Sequence, residues 1–297
     1  EIFCISKYDN AHMPSIEIQN SERKYADDPA AYHARILGRF TKISNRNRFN
    51  IEALLRAEVR CPVTFLRGNI ENGQFAHNAK GRLVIFKQKE QGRQYVVAGD
   101  PSAGLDTGDP TCVQVLDHTS FEQVAVWSGR INPEQFAQLL IDLGTYRNYA
   151  YICPETNFEG FGVIKFIRDN GYKRLFSEYL TDPSHVHAKP TATAKRYGWR
   201  TDTKTKPVMI QDLATAITEG RIILNDPNTI DELKTYIYTP EGTTEAMPGC
   251  HDDRVAALAI ALQVAKRKSP LQGFLAPTPF DRERPIREKD KITGYES

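Results

Sequence analysis

The spacing of apolar positions changes several times along the chain, and the changes divide it into elements. Behind Pro133, a residue suited to a first helical turn, Phe136, Leu139, Leu140 and Leu143 recur at helical spacing. Similar patterns predict helices over Phe49–Val59, Gly162–Arg168, 207–219, 228–238 and Asp252 to about Lys268, and Asp27-Asp28-Pro29 has helix-start chemistry ahead of Tyr32, Ile36 and Leu37. Arg82–Lys87 and Gln94–Gly99 are β-rich runs joined by the turn-like Lys89-Glu90-Gln91-Gly92, which predicts a hairpin. Val113–Leu116 and Gln123–Trp127 read as strands, Ala150–Cys153 as a short buried strand and Leu175–Leu180 as a further one. Tyr95-Val96-Val97-Ala98 is apolar without alternation, as in a central strand covered on both faces. Meander strands, a helix, a parallel strand and a closing helix predict an α/β fold: a mixed central sheet with flanking helices.

Composition adds limits. With 40% hydrophobic and 26% charged residues in 297, a packed core is expected. The net charge is only +2, so a nucleic-acid partner would have to be met by a local basic patch. The five cysteines are scattered, odd in number and form no C-x-x-C pair, which disfavours a disulfide framework or a zinc ribbon and fits a reducing cytoplasm. The most apolar stretch, Val255–Ala265, is far shorter than the roughly 20 residues a bilayer requires, so no membrane span is expected. The start, Glu-Ile-Phe-Cys-Ile, lacks an initiator Met and a signal-peptide core, and reads as an excised piece of something longer. Residues 181–206 form a polar, basic loop, 239–250 a Gly/Pro/Glu-rich one, and the proline-rich, charged 269–297 an expected disordered or partner-bound tail.

Candidate chemistry centres on separated carboxylates. Asp100 closes the strand-like run Tyr-Val-Val-Ala-Gly-Asp, Glu155 follows Ala-Tyr-Ile-Cys-Pro, and His251-Asp252-Asp253 opens the last helix. Each has an ordinary alternative. Asp before Pro-Ser is common turn chemistry, Glu155 could be an exposed loop charge, and one Asp suffices to cap a helix. Asp106 and Asp109 fit a turn better than the site. Acids converging at the carboxyl ends of sheet strands would repel one another and raise their pKa values, a penalty that a divalent cation reverses. All-oxygen ligation favours Mg²⁺ or Mn²⁺. Two such ions about 3.5–4 Å apart can activate a water and stabilise the leaving oxygen of a phosphodiester. No G-x-x-x-x-G-K-[ST] phosphate loop occurs, so ATP hydrolysis by the usual motor chemistry is not expected of these residues.

Four motifs occur in order: Gly99-Asp100-Pro101 with Gly104, Asp106 and Asp109; Pro154-Glu155-Thr156-Asn157 with Gly160; Gly198-Trp199-Arg200-Thr201; and His251-Asp252-Asp253-x-Val255-x-Ala257. Together they resemble the C-terminal nuclease domain of the large terminase subunit of tailed bacteriophages, from about Leu83 to Lys268. The stretch around Asp9-Asn10 and Leu37-Gly38-Arg39-Phe40 is similar to the segment linking that family's motor domain to its nuclease. The resemblance implies an RNase H-like fold with an acidic cleft, its acids on the first strand, the fourth strand and the last helix. It implies that Asp100 bridges the metals, Glu155 holds one, and an acid of the Asp252-Asp253 pair completes the set. Asp253 is favoured, with Asp252 or His251 supporting. It divides the chain into a linker or motor remnant (1–60), the nuclease (61–268) and the tail (269–297). It also implies an endonuclease for double-stranded DNA in viral genome packaging, working in the cytoplasm of the infected bacterial host. Its partners there would be the motor ATPase domain, the portal protein and the small terminase subunit.

Lys189, Lys195, Arg196, Arg200, Lys204 and Lys206 crowd one loop and are interleaved with Tyr197 and Trp199. Near a metal site they would position phosphates without reading sequence. A solvated loop packed over Trp199 is the plainer alternative. Two competing functions keep the fold or the surface but change the role. One is a recombination nuclease such as a junction resolvase or transposase core, and the other is a non-catalytic module that docks on a portal or partner.

Overall fold

The computed structural model describes residues 12–24, 46–101, 109–157, 160–179 and 195–268. Helix α1 (Ser15–Lys24) buries no residue, and α2 (Ile51–Val59) is capped by Asn50, whose side chain accepts from the Ala53 N–H at 3.0 Å. Strands β1 (Leu66–Glu71), β2 (Gln74–His77), β3 (Leu83–Ile85), β4 (Tyr95–Asp100), β5 (Thr111–Asp117) and β6 (Gln123–Gly129) precede α3 (Pro133–Tyr146) and β7 (Tyr151–Pro154). Then come α4 (Gly160–Asp169), β8 (Ser177–Tyr179), β9 (Lys195–Tyr197), α5 (Thr205–Thr218), α6 (Pro227–Lys234), β10 (Tyr236–Tyr238), β11 (Thr244–Ala246) and α7 (Asp253–Arg267).

Seven strands form one mixed sheet in the order β2-β1-β3-β6-β5-β4-β7. β4, β5 and β6 are an antiparallel meander, and β7 runs parallel to β4. The α/β expectation is met. The unalternating apolar run of β4 has the cause expected of it, because the two residue sets of its pleat enter different cores. Val96 and Ala98 pack with α2, α5, α6 and α7, while Tyr95 and Val97 pack with α3 and α4. Gly99 is required by this packing, since a Cβ there would sit 2.7 Å from the Phe136 ring and 3.1 Å from the Cys112 carbonyl oxygen.

Three expectations fail. The loop expected over 181–206 carries β9, paired with β8, and the first residues of α5. β3 and β4 both exist but do not form a hairpin, because β5 and β6 lie between them and β3 pairs instead with β1 and β6. A hairpin does join β1 and β2 through Asn72-Gly73, both at positive φ (51° and 69°), the conformation an Asn-Gly turn favours. The helix predicted over 228–238 ends at Lys234, and Tyr-Ile-Tyr continues as β10, paired with β11 inside the predicted 239–250 loop. Aromatic and β-branched residues suit that half-buried ladder better than another helical turn. The helix start at Asp27, the segment around Asp9 and Leu37, and the tail from Ser269 lie outside the described residues. Among the described residues no helix is long and apolar enough to cross a membrane.

Candidate metal centre

The register of two parallel strands creates the site. Gly99 of β4 stands beside Pro154 of β7, so the residues that follow, Asp100 and Glu155, emerge side by side at the carboxyl edge of the sheet. The Glu155 N–H donates to the Gly99 carbonyl at 2.9 Å and extends the ladder one step past β7. On its other side the Trp199 N–H donates to the Pro154 carbonyl at 2.9 Å, and the Thr156 N–H to the Trp199 carbonyl at 2.7 Å. Glu155 is thus held by backbone on both flanks. The approach needs Gly198 at φ +73°, where a Cβ would lie 2.3 Å from Thr156 Cγ2 and 2.8 Å from the Pro154 carbonyl oxygen. Gly198→Ala is therefore expected to cost about 1–3 kcal/mol of stability, measured by urea unfolding. An unchanged midpoint would show that this approach is not tight.

Burial, the hydrogen bond with the Glu155 carboxyl and the charges of Glu155, Asp253 and Asp252 raise Asp100 well above the ordinary carboxylate range. Asp253 is pushed up to about 6, first by burial and then by Asp109 and Asp252. Its side chain is only 13% exposed, and among the described residues its enclosed Oδ2 has no hydrogen-bond partner. His251 Nδ1 lies 3.1 Å from Asp109 Oδ1 and 3.8 Å from Asp253 Oδ2. Asp109, His251 and Asp253 can each present a ligand atom within 4.8 Å of the others. Asp109, assigned above to a turn, so meets the cluster, while Asp106 lies outside the described residues. Asp252 turns another way: it makes no cap bond, and its Oδ2 stands 3.8 Å from Lys206 Nζ. An ionised carboxylate oxygen enclosed without a partner is costly, and so are several acids at one strand edge. A hard divalent cation relieves both penalties, so this donor set fits Mg²⁺ or Mn²⁺.

Two supports were not legible in the sequence. Asn157 Nδ2 donates to Glu155 Oε1 at 3.0 Å and to the Thr201 carbonyl at 2.9 Å, which fixes the Glu155 side chain. Arg254, next to Asp253, is clamped by Asp226 (2.9 Å), by Glu232 Oε1 (3.1 Å) and through its own N–H by Glu232 Oε2 (2.9 Å). This braces the first turn of α7 against α6. In the sequence Asn157 stood only as the last residue of the Pro154-Glu155-Thr156-Asn157 motif, with no role of its own.

The basic residues divide. Lys195, Arg200 and Lys204 are exposed, Arg196 bonds Glu178 at 3.1 Å, and Lys206 stands against Asp252. Lys189 lies outside the described residues. Trp199 is 2% exposed with the Arg267 guanidinium 4.6 Å from its ring centre, so it is a packed residue.

Residues 97–264, from β4 into α7, match the family described as Terminase RNaseH-like domain. No curated protein matches the chain. Among solved structures it is similar to the large terminase nuclease from thermophilic phage G20c, with a TM-score of 0.50 and 16% identity over 73% of this chain and 98% of that one. The same nuclease with bound magnesium aligns at a TM-score of 0.51, 17% identity, 74% of this chain and 98% of that one. With bound cobalt the values are 0.51, 16%, 74% and 98%. The fold is thus the RNase H-like one, with acids on the first meander strand, beyond the parallel strand and on the last helix, and the chain belongs to the terminase RNase H-like domain family.

Proposed function

We propose that the domain is an endonuclease that cuts double-stranded DNA without sequence preference, hydrolysing phosphodiesters at a divalent-metal centre held by Asp100, Glu155 and Asp253. The observation that carries this reading is the gathering of acids at one sheet edge, where Asp253 lies with Asp109 and His251 within 4.8 Å, and where burial, Glu155 and Asp253 together raise the pKa of Asp100. Bound Mg²⁺ or Mn²⁺, two ions in this reading, would supply an activated water and neutralise charge on the leaving oxygen. Asp100, hydrogen-bonded to Glu155 and within the field of Asp253, would serve as a ligand in this reading. Glu155 is oriented by Asn157, and Asp253 by the Arg254 clamp. His251 and Asp109 support Asp253, and Asp252 with Lys206 forms the rim where a phosphate would meet positive charge. Lys189, Lys195, Arg196, Arg200 and Lys204 would hold the backbone without reading bases. The magnesium and cobalt bound by the phage G20c nuclease support a divalent cofactor.

In this reading the domain works in viral genome packaging with the motor ATPase domain, portal protein and small terminase subunit, in the cytoplasm of an infected bacterium. We also propose that the folded nuclease takes in α2, ahead of the boundary expected at residue 60. Supercoiled plasmid incubated with Mn²⁺ is expected to be nicked and then linearised at many positions, and EDTA to stop it. Plasmid left intact across a range of Mn²⁺ concentrations would favour the docking-module alternative. Cleavage confined to branched DNA would favour the recombination nuclease.

A further inference from the structure

We propose that a groove beside the acidic cluster holds one or two unpaired nucleotides of DNA, with the Phe161 ring as the stacking surface. The proposal rests on the reading of this chain as a DNA nuclease. The groove encloses 740 Å³, and its lining includes Asn157, Phe161, Arg168, Lys195, Tyr197 and Arg200. Helix α4 turns Val163 and Ile167 into the core, which leaves Phe161 and Arg168, seven residues apart, on the outward face. Phe161 is 82% exposed, an unusual setting for a phenyl ring that shares a cleft with cations.

The cations are held in place. The Arg168 guanidinium lies 4.8 Å from the Tyr197 ring centre and Lys195 Nζ 5.1 Å from the same centre, so one aromatic ring gathers two positive charges. The acid in the groove, Asp202, is engaged by its own loop, its Oδ1 accepting from the Lys204 and Thr205 N–H groups at 2.9 Å each. Positive charge beside an exposed aromatic face is the pairing that binds phosphates and stacks bases. Asn157, which lines the groove, also donates to Glu155 Oε1, so a strand seated there leads straight to the acidic cluster. The volume lies within the range of about 300–1,000 Å³ typical of small-ligand clefts, room for a base or two and too little for a duplex.

The test is fluorescence anisotropy with a labelled mixed-sequence single strand and the matching duplex, in EDTA so that nothing is cut. Phe161→Ala is expected to weaken single-strand binding about 5- to 100-fold, the range given by alanine substitution of stacking rings, and to change duplex binding less than about twofold. Phe161→Trp should restore the affinity. Arg168→Ala should lower the slope of log affinity against log salt by about 0.7, the loss of one phosphate contact to a single strand. Equal losses on both DNAs, no loss from Phe161→Ala, or no measurable single-strand binding by the unaltered chain would overturn the proposal. An unchanged unfolding midpoint for Phe161→Ala, a surface substitution, separates lost binding from lost fold. Because the assay needs no metal, a chain that binds the single strand but never cuts plasmid would refute the nuclease reading instead. A plasmid-cutting chain indifferent to Phe161→Ala would refute this groove alone.

Discussion

Asp100→Asn is expected to remove Mn²⁺-dependent plasmid cleavage, by about 10³-fold or more, and at the same time to raise the melting temperature of the metal-free protein. The loss follows from the proposed role: Asp100 hydrogen-bonds Glu155 and feels the charge of Asp253, and removing even one preorganised electrostatic partner from a catalytic site costs about 10²–10³. The gain follows from repulsion. Burial and the neighbouring Glu155, Asp253 and Asp252 carboxylates hold Asp100 well above its ordinary range, so without metal its ionised form opposes folding. Its folded value exceeds its unfolded one, so its contribution falls as pH rises from about 4, where the unfolded carboxyl ionises, toward the raised folded value. At neutral pH an amide of the same shape lifts that penalty. A gain of about 1–2 kcal/mol corresponds to roughly 2–8 °C in a domain of this size. Mn²⁺ at about 100 times its dissociation constant should stabilise the unaltered protein by about 2.7 kcal/mol and the Asn variant by less. A variant that still cuts, or one that melts lower than the parent without metal, would remove Asp100 from the centre of the site.

Such opposed effects on activity and stability mark a site assembled against local preference, and they explain what the sequence could reveal. Asp100, Glu155 and Asp253 could be singled out as candidates because each stands at the end of an apolar element. The parallel pairing that sets Gly99 beside Pro154 was legible only as an expectation of fold, since register is not written in either strand alone. His251 was legible through its neighbours, but its contact with Asp109 spans 142 positions and depends on how α7 meets β5. Arg254 looked like one more charge on a helix, although its carboxylate partners come from α6 and the residue preceding it. The same limit produced the error at β3, whose true neighbours, β1 and β6, are chosen by tertiary packing. The short linker to β4 suggested a hairpin that the sheet order excludes. By contrast, Asn72-Gly73 was a local signal that could have been read, but the strands it joins carry few apolar residues and hid it.

Deleting residues 1–60 is expected to leave 61–268 unable to fold stably, whereas 46–268 should fold. The segment before residue 60 is part of the core. Phe49 is 2% exposed, Leu54 and Leu55 are fully buried, and Phe49 and Leu54 pack in the cluster that includes α5, α6 and α7. Burying such side chains contributes about 1.5–3 kcal/mol each. The Arg48 N–H donates to the Tyr236 carbonyl and the Tyr238 N–H to the Arg46 carbonyl, so this segment also pairs with β10. Glu58 accepts from Lys234 Nζ at 2.6 Å, and their side chains are only 4% and 6% exposed. Deletion removes this pair and the helix that covers it, leaving Asp231, which is 66% exposed, beside the lysine. Together these losses match the roughly 5–15 kcal/mol that a whole domain has to spare. Urea unfolding of both fragments tests the point, and equal midpoints would return the boundary to residue 60. A pair of substitutions separates charge from packing. Glu58→Ala alone should lower stability by about 3–5 kcal/mol, whereas Glu58→Leu with Lys234→Met should come near the parent, because an apolar pair of similar volume leaves no buried charge without a partner.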